Sequence, residues 1–367
     1  MKDLSLYIHI PFCRCICVYC AFLTYANKTG QIPLYIDSLL KEIDQRSPAL
    51  RSYRISSIYF GGGTPGLLET DKISLIMGSL KKNFKISETA EISIECNPEN
   101  INADKVAGLM KLGFNRLTMG VQSLKKDTLL RLARTHDVIT IKDAVETLKK
   151  VNFKNFGIDL IMGLPHQDIN SFRRDLDQII DWEVPHISCY FLSYDTPKID
   201  NFIKDCPDEA EQIDMYDYAC RKLKENGFLH YEVSNFAIPG HECKHNLRYW
   251  NQKEYLGLGH GAHSYMNDKV WSNTSDFNAY LNNPLLTDES IVHDPDLQRM
   301  DFIMLHLRKH DGIRLKEFSR KFPGRLSELR REAAKYKSSG HLYIDSNKLA
   351  LTEKGFLIID RITGDLL

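Results

Sequence analysis

The sequence has no net charge and no long apolar run. Its 48 lysines and arginines balance 48 aspartates and glutamates over 367 residues, so no basic excess points to nucleic acid as the main partner. No stretch approaches the roughly 18 consecutive apolar residues that predict a transmembrane helix. The residues before Cys13 carry one lysine and no long apolar run, unlike an export signal. We therefore expect a cytoplasmic protein without a membrane span and without a nucleic-acid partner.

The nine cysteines include no second closely spaced group. Disulfide frameworks are typical of secreted chains, so clustered cysteines in a cytoplasmic protein indicate metal binding or redox chemistry. Four of the nine lie between Cys13 and Cys20, and the other five are scattered. Structural zinc sites usually take two separated pairs of ligands, which disfavours zinc. Closely spaced thiolates are instead typical of iron–sulfur clusters.

Two spacings of three thiolates are available within this group. Cys15, Cys17 and Cys20 give C-x-C-x2-C, whereas Cys13, Cys17 and Cys20 give C-x3-C-x2-C. Three thiolates leave one iron of a four-iron cubane open to an outside ligand. The residues by themselves do not choose between the two sets.

Six repeats of a short β-rich run followed by an amphipathic stretch fill the first two thirds of the chain. Apolar residues recur at three and four positions in the helical stretches, and Gly113 is a signal for a helix end. Such repeats predict a parallel α/β sheet. The predicted strands cover residues 4–11, 56–60, 91–96, 115–122, 155–165 and 186–194, and the predicted helices 32–45, 71–84, 103–113, 142–151, 169–182 and 208–226.

The turns after four of the predicted strands are rich in glycine, proline or polar residues: GGGTP, CNPEN, GVQSL and GLPHQ. In parallel α/β folds the loops after the carboxyl ends of the strands form the site. Glu95, Gln122 and Asp159 are polar residues at strand ends in otherwise apolar runs, where a buried polar group needs a partner. We therefore expect these turns to surround one ligand site.

The pattern changes near residue 235. Residues 236–295 are rich in histidine, glycine and aromatic residues and show no periodicity, and we expect this segment to complete the site. Residues 296–367 predict helices followed by a hairpin, GHLYIDSNKLALTEKG, which indicates a mainly helical, winged-helix-like domain. The predicted division is thus 1–235, 236–295 and 296–367.

The C-x3-C-x2-C spacing, with Tyr19 before its last cysteine, closely resembles the motif of the radical S-adenosylmethionine (SAM) superfamily. That resemblance implies a partial (β/α)6 TIM-like barrel in which Cys13, Cys17 and Cys20 hold a [4Fe–4S] cluster whose fourth iron is chelated by SAM. Cys15 is then left over. The resemblance also implies that SAM is bound at Tyr7, Gly62, Gly63, Thr64, Glu95, Gln122, Arg134 and Asp159.

Nearly the entire chain resembles the oxygen-independent coproporphyrinogen III oxidase, or HemN-like, family through LYIHIPFC, GGGTP, IECNP, RLTMGVQSL and IDLIMGLP. Two features depart from the oxidases of that family. Phe22 stands where they have a further cysteine, and only twelve residues precede Cys13. Both features are similar to the HemW branch of haem chaperones, whose H-N-x-x-Y-W motif matches His245, Asn246, Tyr249 and Trp250 in KHNLRYW.

The chaperone branch implies that these four residues bind haem and that haem passes to acceptor proteins, with respiratory enzymes among them. The cluster and SAM would then stabilise the fold or a homodimer. The alternative is a coproporphyrinogen III oxidase that cleaves SAM to a radical and decarboxylates propionate side chains. Whether the chain is an enzyme therefore stays open, and a nucleic-acid binder using the C-terminal hairpin is disfavoured by the neutral charge.

Overall fold

The protein alternates strands and helices along most of its length. The structure is a computed structural model that describes residues 1–194, 200 and 202–367. Its strands are β1 Lys2–Ile10, β2 Tyr53–Gly62, β3 Ile86–Cys96, β4 Arg116–Gln122, β5 Phe156–Met162, β6 His186–Phe191, β7 Leu229–Glu232, β8 Asn235–Ala237, β9 Tyr255–Leu258, β10 His263–Met266, β11 Lys269–Asn273, β12 Thr287–Val292, β13 Ile313–Arg314, β14 Leu342–Ile344 and β15 Lys348–Leu351.

The α-helices fall between these strands and in the C-terminal region. They are α1 Ile32–Arg46, α2 Thr70–Asn83, α3 Ala103–Leu112, α4 Lys126–Arg131, α5 Val138–Lys150, α6 Ile169–Asp181, α7 Glu209–Glu225, α8 Lys244–Trp250, α9 Phe277–Asn282, α10 Pro295–Leu307, α11 Leu315–Lys321, α12 Leu326–Ser338, α13 Glu353–Phe356 and α14 Ile359–Leu366. In the described residues no helix is both long enough and apolar enough to cross a bilayer.

The six predicted βα repeats form the centre of one large sheet. Strands β1 to β6 are parallel and lie side by side in chain order. Helices cover a parallel sheet and leave little of it exposed. In β1, for example, Leu4, Leu6, Ile8 and Ile10 are fully buried. This is the partial (β/α)6 barrel that the sequence predicts.

Local capping signals end and begin the helices of this barrel. The side chain of Asn102 accepts a hydrogen bond from the Lys105 amide at the start of α3. Gly113 ends the same helix at φ +102°, a left-handed conformation that favours glycine, which confirms the predicted helix end. Asp168 caps α6 through the Ser171 amide in the same way.

The segment without periodicity supplies much of the rest of the sheet. Strand β9 pairs in parallel with β1, and β10, β11 and β12 follow as an antiparallel meander. On the opposite edge, β8 pairs antiparallel with β6 and begins at the predicted boundary, residue 235. Strands β9 and β10 have four residues each, too few for a period of two to stand out in the sequence.

The C-terminal region packs five helices around a small sheet. Its strands lie in the order β13-β15-β14, and β14 and β15 form the predicted hairpin. The buried rings of Phe302, Phe318 and Phe322 pack against one another within 6.0 Å between centroids. The mainly helical, winged-helix-like region predicted from the sequence is therefore present, with one additional short strand, β13.

Candidate functional site

The carboxyl ends of the parallel strands surround a cavity of about 500 Å³, the first cavity. It is lined by most of the residues that the sequence assigns to the cluster and to SAM: Cys13, Cys17, Cys20, Gly62, Gly63, Thr64, Glu95, Gln122, Arg134 and Asp159. They come from the carboxyl ends of β2 to β5 and the turn after β2, from the loop after β1 and, for Arg134, from the segment between α4 and α5. The turns therefore meet at one site, as the parallel topology requires.

The loop after β1 is closed on itself by its backbone. The Tyr25 amide donates to the Pro11 carbonyl at 2.7 Å, and the Cys13 amide donates to the Tyr25 carbonyl at 3.0 Å. Cys13 and Cys17 are buried and Cys20 is partly exposed. The Thr64 hydroxyl donates to the Cys13 sulfur at 3.6 Å, an interaction that stabilises a thiolate.

Cys15 also lines the first cavity but uses its thiol differently. Its sulfur lies 2.8 Å from the Ala133 carbonyl oxygen, to which the thiol donates. Burial raises the pKa of the Cys15 thiol. The hydrogen bond favours the protonated thiol, whereas iron is bound by thiolates, which agrees with Cys15 as the cysteine left over. Burial raises the pKa of the Cys13 thiol as well, so the pKa shift does not separate the two cysteines.

The three cysteines assigned to the cluster face one common space. Among the described residues, no three His, Cys, Asp or Glu side chains are gathered closely enough to hold one metal ion. A cubane takes one thiolate at each of three separate irons, so its ligands need only face a common space. Cys13, Cys17 and Cys20 do face one, the first cavity.

Glycine is required in the turn after β2. Gly62 has φ +113°, and a Cβ atom on it would lie 2.5 Å from the His9 ring. A Cβ atom on Gly63 would lie 2.7 Å from the Phe12 carbonyl oxygen. The two glycines thus let the GGGTP turn pack directly on the loop that carries Cys13.

Glu95 lies between this turn and the barrel interior. Its carboxylate accepts hydrogen bonds from the Tyr59 hydroxyl at 2.8 Å and the Gly62 amide at 3.3 Å. Burial raises its pKa to about 7. A cationic or hydroxyl-bearing ligand at this point would add a further polar partner to these two.

Arg134 and Asp159 leave polar atoms unpaired in the first cavity. Arg134 donates to Asn97 Oδ1 at 3.0 Å and to the Gly120 carbonyl at 2.8 Å, but its buried Nε has no partner. The buried Oδ1 of Asp159 also has none, and burial raises the pKa of this carboxyl to about 6. Unpaired buried groups of both signs are typical of a site whose ligand is absent.

Tyr7 lies elsewhere, on a second cavity of about 850 Å³. Its hydroxyl is 3.0 Å from Nδ1 of His9. Two residues of the KHNLRYW motif, Tyr249 and Trp250, line this second cavity, whereas Asn246 lines the first. Helix α8 therefore lies between the two cavities, and its motif faces both.

His245 faces neither cavity. It is 0% exposed, its Nδ1 lies 2.9 Å from the Ser57 hydroxyl and its Nε2 lies 2.8 Å from the Tyr249 hydroxyl. Its ring stacks on Tyr59 at 5.1 Å between centroids. Burial lowers its pKa to about 3. In this conformation both ring nitrogens of the predicted haem ligand are already hydrogen-bonded inside the protein.

Comparison with known proteins agrees with this architecture. Residues 7–179 match the radical SAM superfamily and residues 294–358 match the HemN C-terminal domain. The chain is 32% identical to heme chaperone HemW of Lactococcus lactis, covering 97% of this chain and 95% of that protein. It is 34% identical to heme chaperone HemW of Haemophilus influenzae, covering 87% and 86%.

The chain belongs to the HemW family of radical SAM proteins. The solved structure of coproporphyrinogen III oxidase (HemN) from Escherichia coli, a radical SAM enzyme, is similar at a TM-score of 0.88 and 26% identity, covering 100% of this chain and 90% of that chain. Membership of the superfamily implies a [4Fe–4S] cluster and SAM, and the residues lining the first cavity fit both. When bound, the cluster would supply a redox centre next to SAM.

Three residues that the sequence analysis did not select also line the first cavity of this HemW-family protein: Arg116, His186 and Cys243. Arg116 is fully buried and donates to Asn155 and to the His241 carbonyl, but its Nε and Nη2 have no partner among the described residues. The signal that could have found it is an arginine at the start of the apolar run RLTMGVQ.

Proposed function

We propose that the protein binds haem as cargo and delivers it to haem-requiring acceptor proteins. The observation that carries this proposal is similarity over nearly the whole chain to proteins named heme chaperones. The presence of two cavities on either side of α8 supports it, because the first suffices for a cluster and SAM and the second is available for cargo.

The chain's own residues have separate roles under this proposal. Cys13, Cys17 and Cys20 would hold the cluster, and the Thr64 hydroxyl would stabilise the Cys13 thiolate. Glu95 would accept hydrogen bonds from the amine or ribose of SAM. Arg134, Asp159 and Gln122 would surround the rest of that molecule. Arg134 Nε and Asp159 Oδ1 have no other partner among the described residues.

The four predicted haem residues would act differently from one another. Tyr249 and Trp250 line the second cavity and would contact a porphyrin there. His245 would fix the Tyr249 ring through its hydrogen bond to the hydroxyl. Respiratory enzymes as acceptors and a homodimeric assembly stay predictions.

The test begins with an anaerobic titration of hemin into the cluster-reconstituted protein, followed through the Soret band. We expect saturable one-to-one binding. The haem-loaded protein is then mixed with membranes from haem-depleted cells, and the recovery of the haem absorbance of the respiratory enzymes is followed. Hemin-loaded serum albumin, mixed with the same membranes, serves as the control donor. Faster recovery from the protein supports delivery. Absence of specific hemin binding would contradict the proposal, and equal rates from both donors would contradict specific delivery.

A second candidate function is oxidative decarboxylation of coproporphyrinogen III. The TM-score of 0.88 to the Escherichia coli oxidase favours it, whereas Phe22 in place of a cysteine disfavours it. The reduced, cluster-loaded protein with SAM and coproporphyrinogen III should release carbon dioxide if this candidate is correct. Methionine and porphyrinogen product are assayed in the same reaction, and their absence excludes it.

A further inference from the structure

The second cavity has the walls that a flat apolar ligand requires. Tyr249 and Trp250 come from the end of α8, Met304 and Leu305 from α10, and Phe22 from the cysteine loop. Phe22 is 73% exposed, which leaves its ring free to contact a ligand. Cavities of about 300–1,000 Å³ lined by aromatic and apolar side chains are typical small-molecule sites. The volume of about 850 Å³ lies in that range.

The β10–β11 hairpin forms a further wall of the same cavity. His263 pairs with Ser272 and Tyr265 pairs with Val270. All four of these residues line the cavity, because alternate residues of paired strands share one face of the sheet. The imidazole of His263 therefore belongs to the cavity wall by the register of the hairpin.

His263 differs from His9 and His245 in having no hydrogen bond from the described residues on either ring nitrogen. His9 also lines the cavity, but its Nδ1 lies 3.0 Å from the Tyr7 hydroxyl and its Nε2 lies 3.0 Å from the Leu23 carbonyl. His245 is buried behind Tyr249 with both nitrogens bonded. The side chain of His263 is exposed and makes no hydrogen bond within the described part of the chain.

The lining of the cavity includes three carboxylates, Asp288, Glu289 and Asp301, and one lysine, Lys253. Asp288 accepts hydrogen bonds from the amide and hydroxyl of Ser275, and Asp301 lies 3.0 Å from Nδ1 of His293. Asp288 is therefore hydrogen-bonded and Asp301 faces an imidazole, whereas the exposed side chain of Glu289 has no hydrogen bond or ion pair among the described residues. The charge of the lining therefore does not by itself favour an anionic ligand. Lys253 lines the same cavity and is exposed, so it is available to a propionate.

We propose that haem binds in the second cavity, between Trp250 and the β10–β11 hairpin, with His263 as an axial ligand to the iron. This inference rests on the proposed function, since it specifies where the cargo is held. A neutral imidazole is a common axial ligand of haem iron. His245 supports the wall from behind and does not contact the iron.

The decisive variant is His263→Ala, and the matched control is His310→Ala. The control also removes an exposed imidazole, but His310 lies outside both cavities. Mutating even a hydrogen-bond partner of a ligating histidine costs about 10–100-fold in metal affinity. We therefore expect at least about tenfold weaker hemin binding in His263→Ala and unchanged binding in His310→Ala. Free imidazole added to His263→Ala should restore the Soret and visible bands of the wild-type complex, a response that a purely structural loss would not give.

The outcomes separate the inference from the function on which it rests. If the wild type binds hemin and His263→Ala binds it with equal affinity and an unchanged spectrum, the inference is overturned and the proposed function stands. If imidazole restores the spectrum of His245→Ala but has no effect in His263→Ala, the ligand is His245. If the wild type binds no hemin, the proposed function fails and the inference fails with it.

Discussion

Truncation of His245 should destabilise the whole protein, whatever it does to haem binding. The imidazole is fully buried and hydrogen-bonded on both nitrogens. In His245→Ala the Ser57 hydroxyl keeps a bond to the Ser5 hydroxyl at 2.7 Å. The Tyr249 hydroxyl keeps no hydrogen-bond partner among the described residues. The variant therefore combines a cavity with an unsatisfied buried hydroxyl.

The magnitude follows from these two losses. An unsatisfied buried hydroxyl costs about 1–3 kcal/mol, and truncating a large buried side chain to alanine costs about 2 kcal/mol or more. We expect His245→Ala to lower the free energy of unfolding by about 3–5 kcal/mol. His263→Ala should change it by less than about 0.5 kcal/mol, because that side chain is exposed and makes no hydrogen bond.

The measurement is anaerobic urea unfolding of the cluster-free protein, followed by circular dichroism. Adding Tyr249→Phe to His245→Ala should recover about 1–2 kcal/mol, because it removes the orphaned hydroxyl. A free energy of unfolding for His245→Ala within about 0.5 kcal/mol of wild type would refute this reasoning. His245 would then be free to leave its position, and a loss of haem binding in the variant would point to a lost ligand.

Two further predictions concern the first cavity. Cys17→Ser should abolish the brown absorbance of the reconstituted cluster. Cys15→Ser should retain it, because the Cys15 thiol donates to the Ala133 carbonyl. Equal loss in both variants would mean that Cys15, Cys17 and Cys20 hold the cluster. Burial raises the pKa of Glu95 from 4.5 to about 7, so the folded protein holds this proton more tightly than the unfolded chain does. The stability that this provides is complete below pH 4.5 and is lost as the pH rises to about 7. The glutamine in Glu95→Gln does not ionise, so the free energy of unfolding of this variant relative to wild type should rise by about 3 kcal/mol between pH 4.5 and pH 7. The measurement is urea unfolding at a series of pH values. A difference between the two proteins that does not vary with pH would contradict the raised pKa.

The barrel could be predicted because its signals are local and repeated. Each of the six central strands has apolar residues at alternate or adjacent positions and lies next to a Gly-, Pro- or Asn-containing turn. The helices between them have apolar positions at helical spacing. Strands β9 to β12 gave no such signal. Whether a short segment at the edge of a sheet forms a strand depends on the neighbouring strands with which it pairs.

The first cavity could be predicted for a topological reason. The carboxyl ends of parallel strands must meet, so residues as far apart in sequence as Cys13 and Asp159 were expected together and do line one cavity. Arg116 was missed, since its side chain lies deep in the barrel and its role depends on unpaired atoms that only coordinates reveal.

The βα order, the cysteine spacing and the family to which the chain belongs follow from the sequence alone, because they depend on residue type and separation along the chain. The sequence could not tell which residues of KHNLRYW face a ligand. A seven-residue helix between two cavities presents its residues in different directions, 100° apart for successive positions of an α-helix. Only the packing of α8 against β2 buries His245 on Ser57 and Tyr59 while turning Tyr249 and Trp250 into the second cavity.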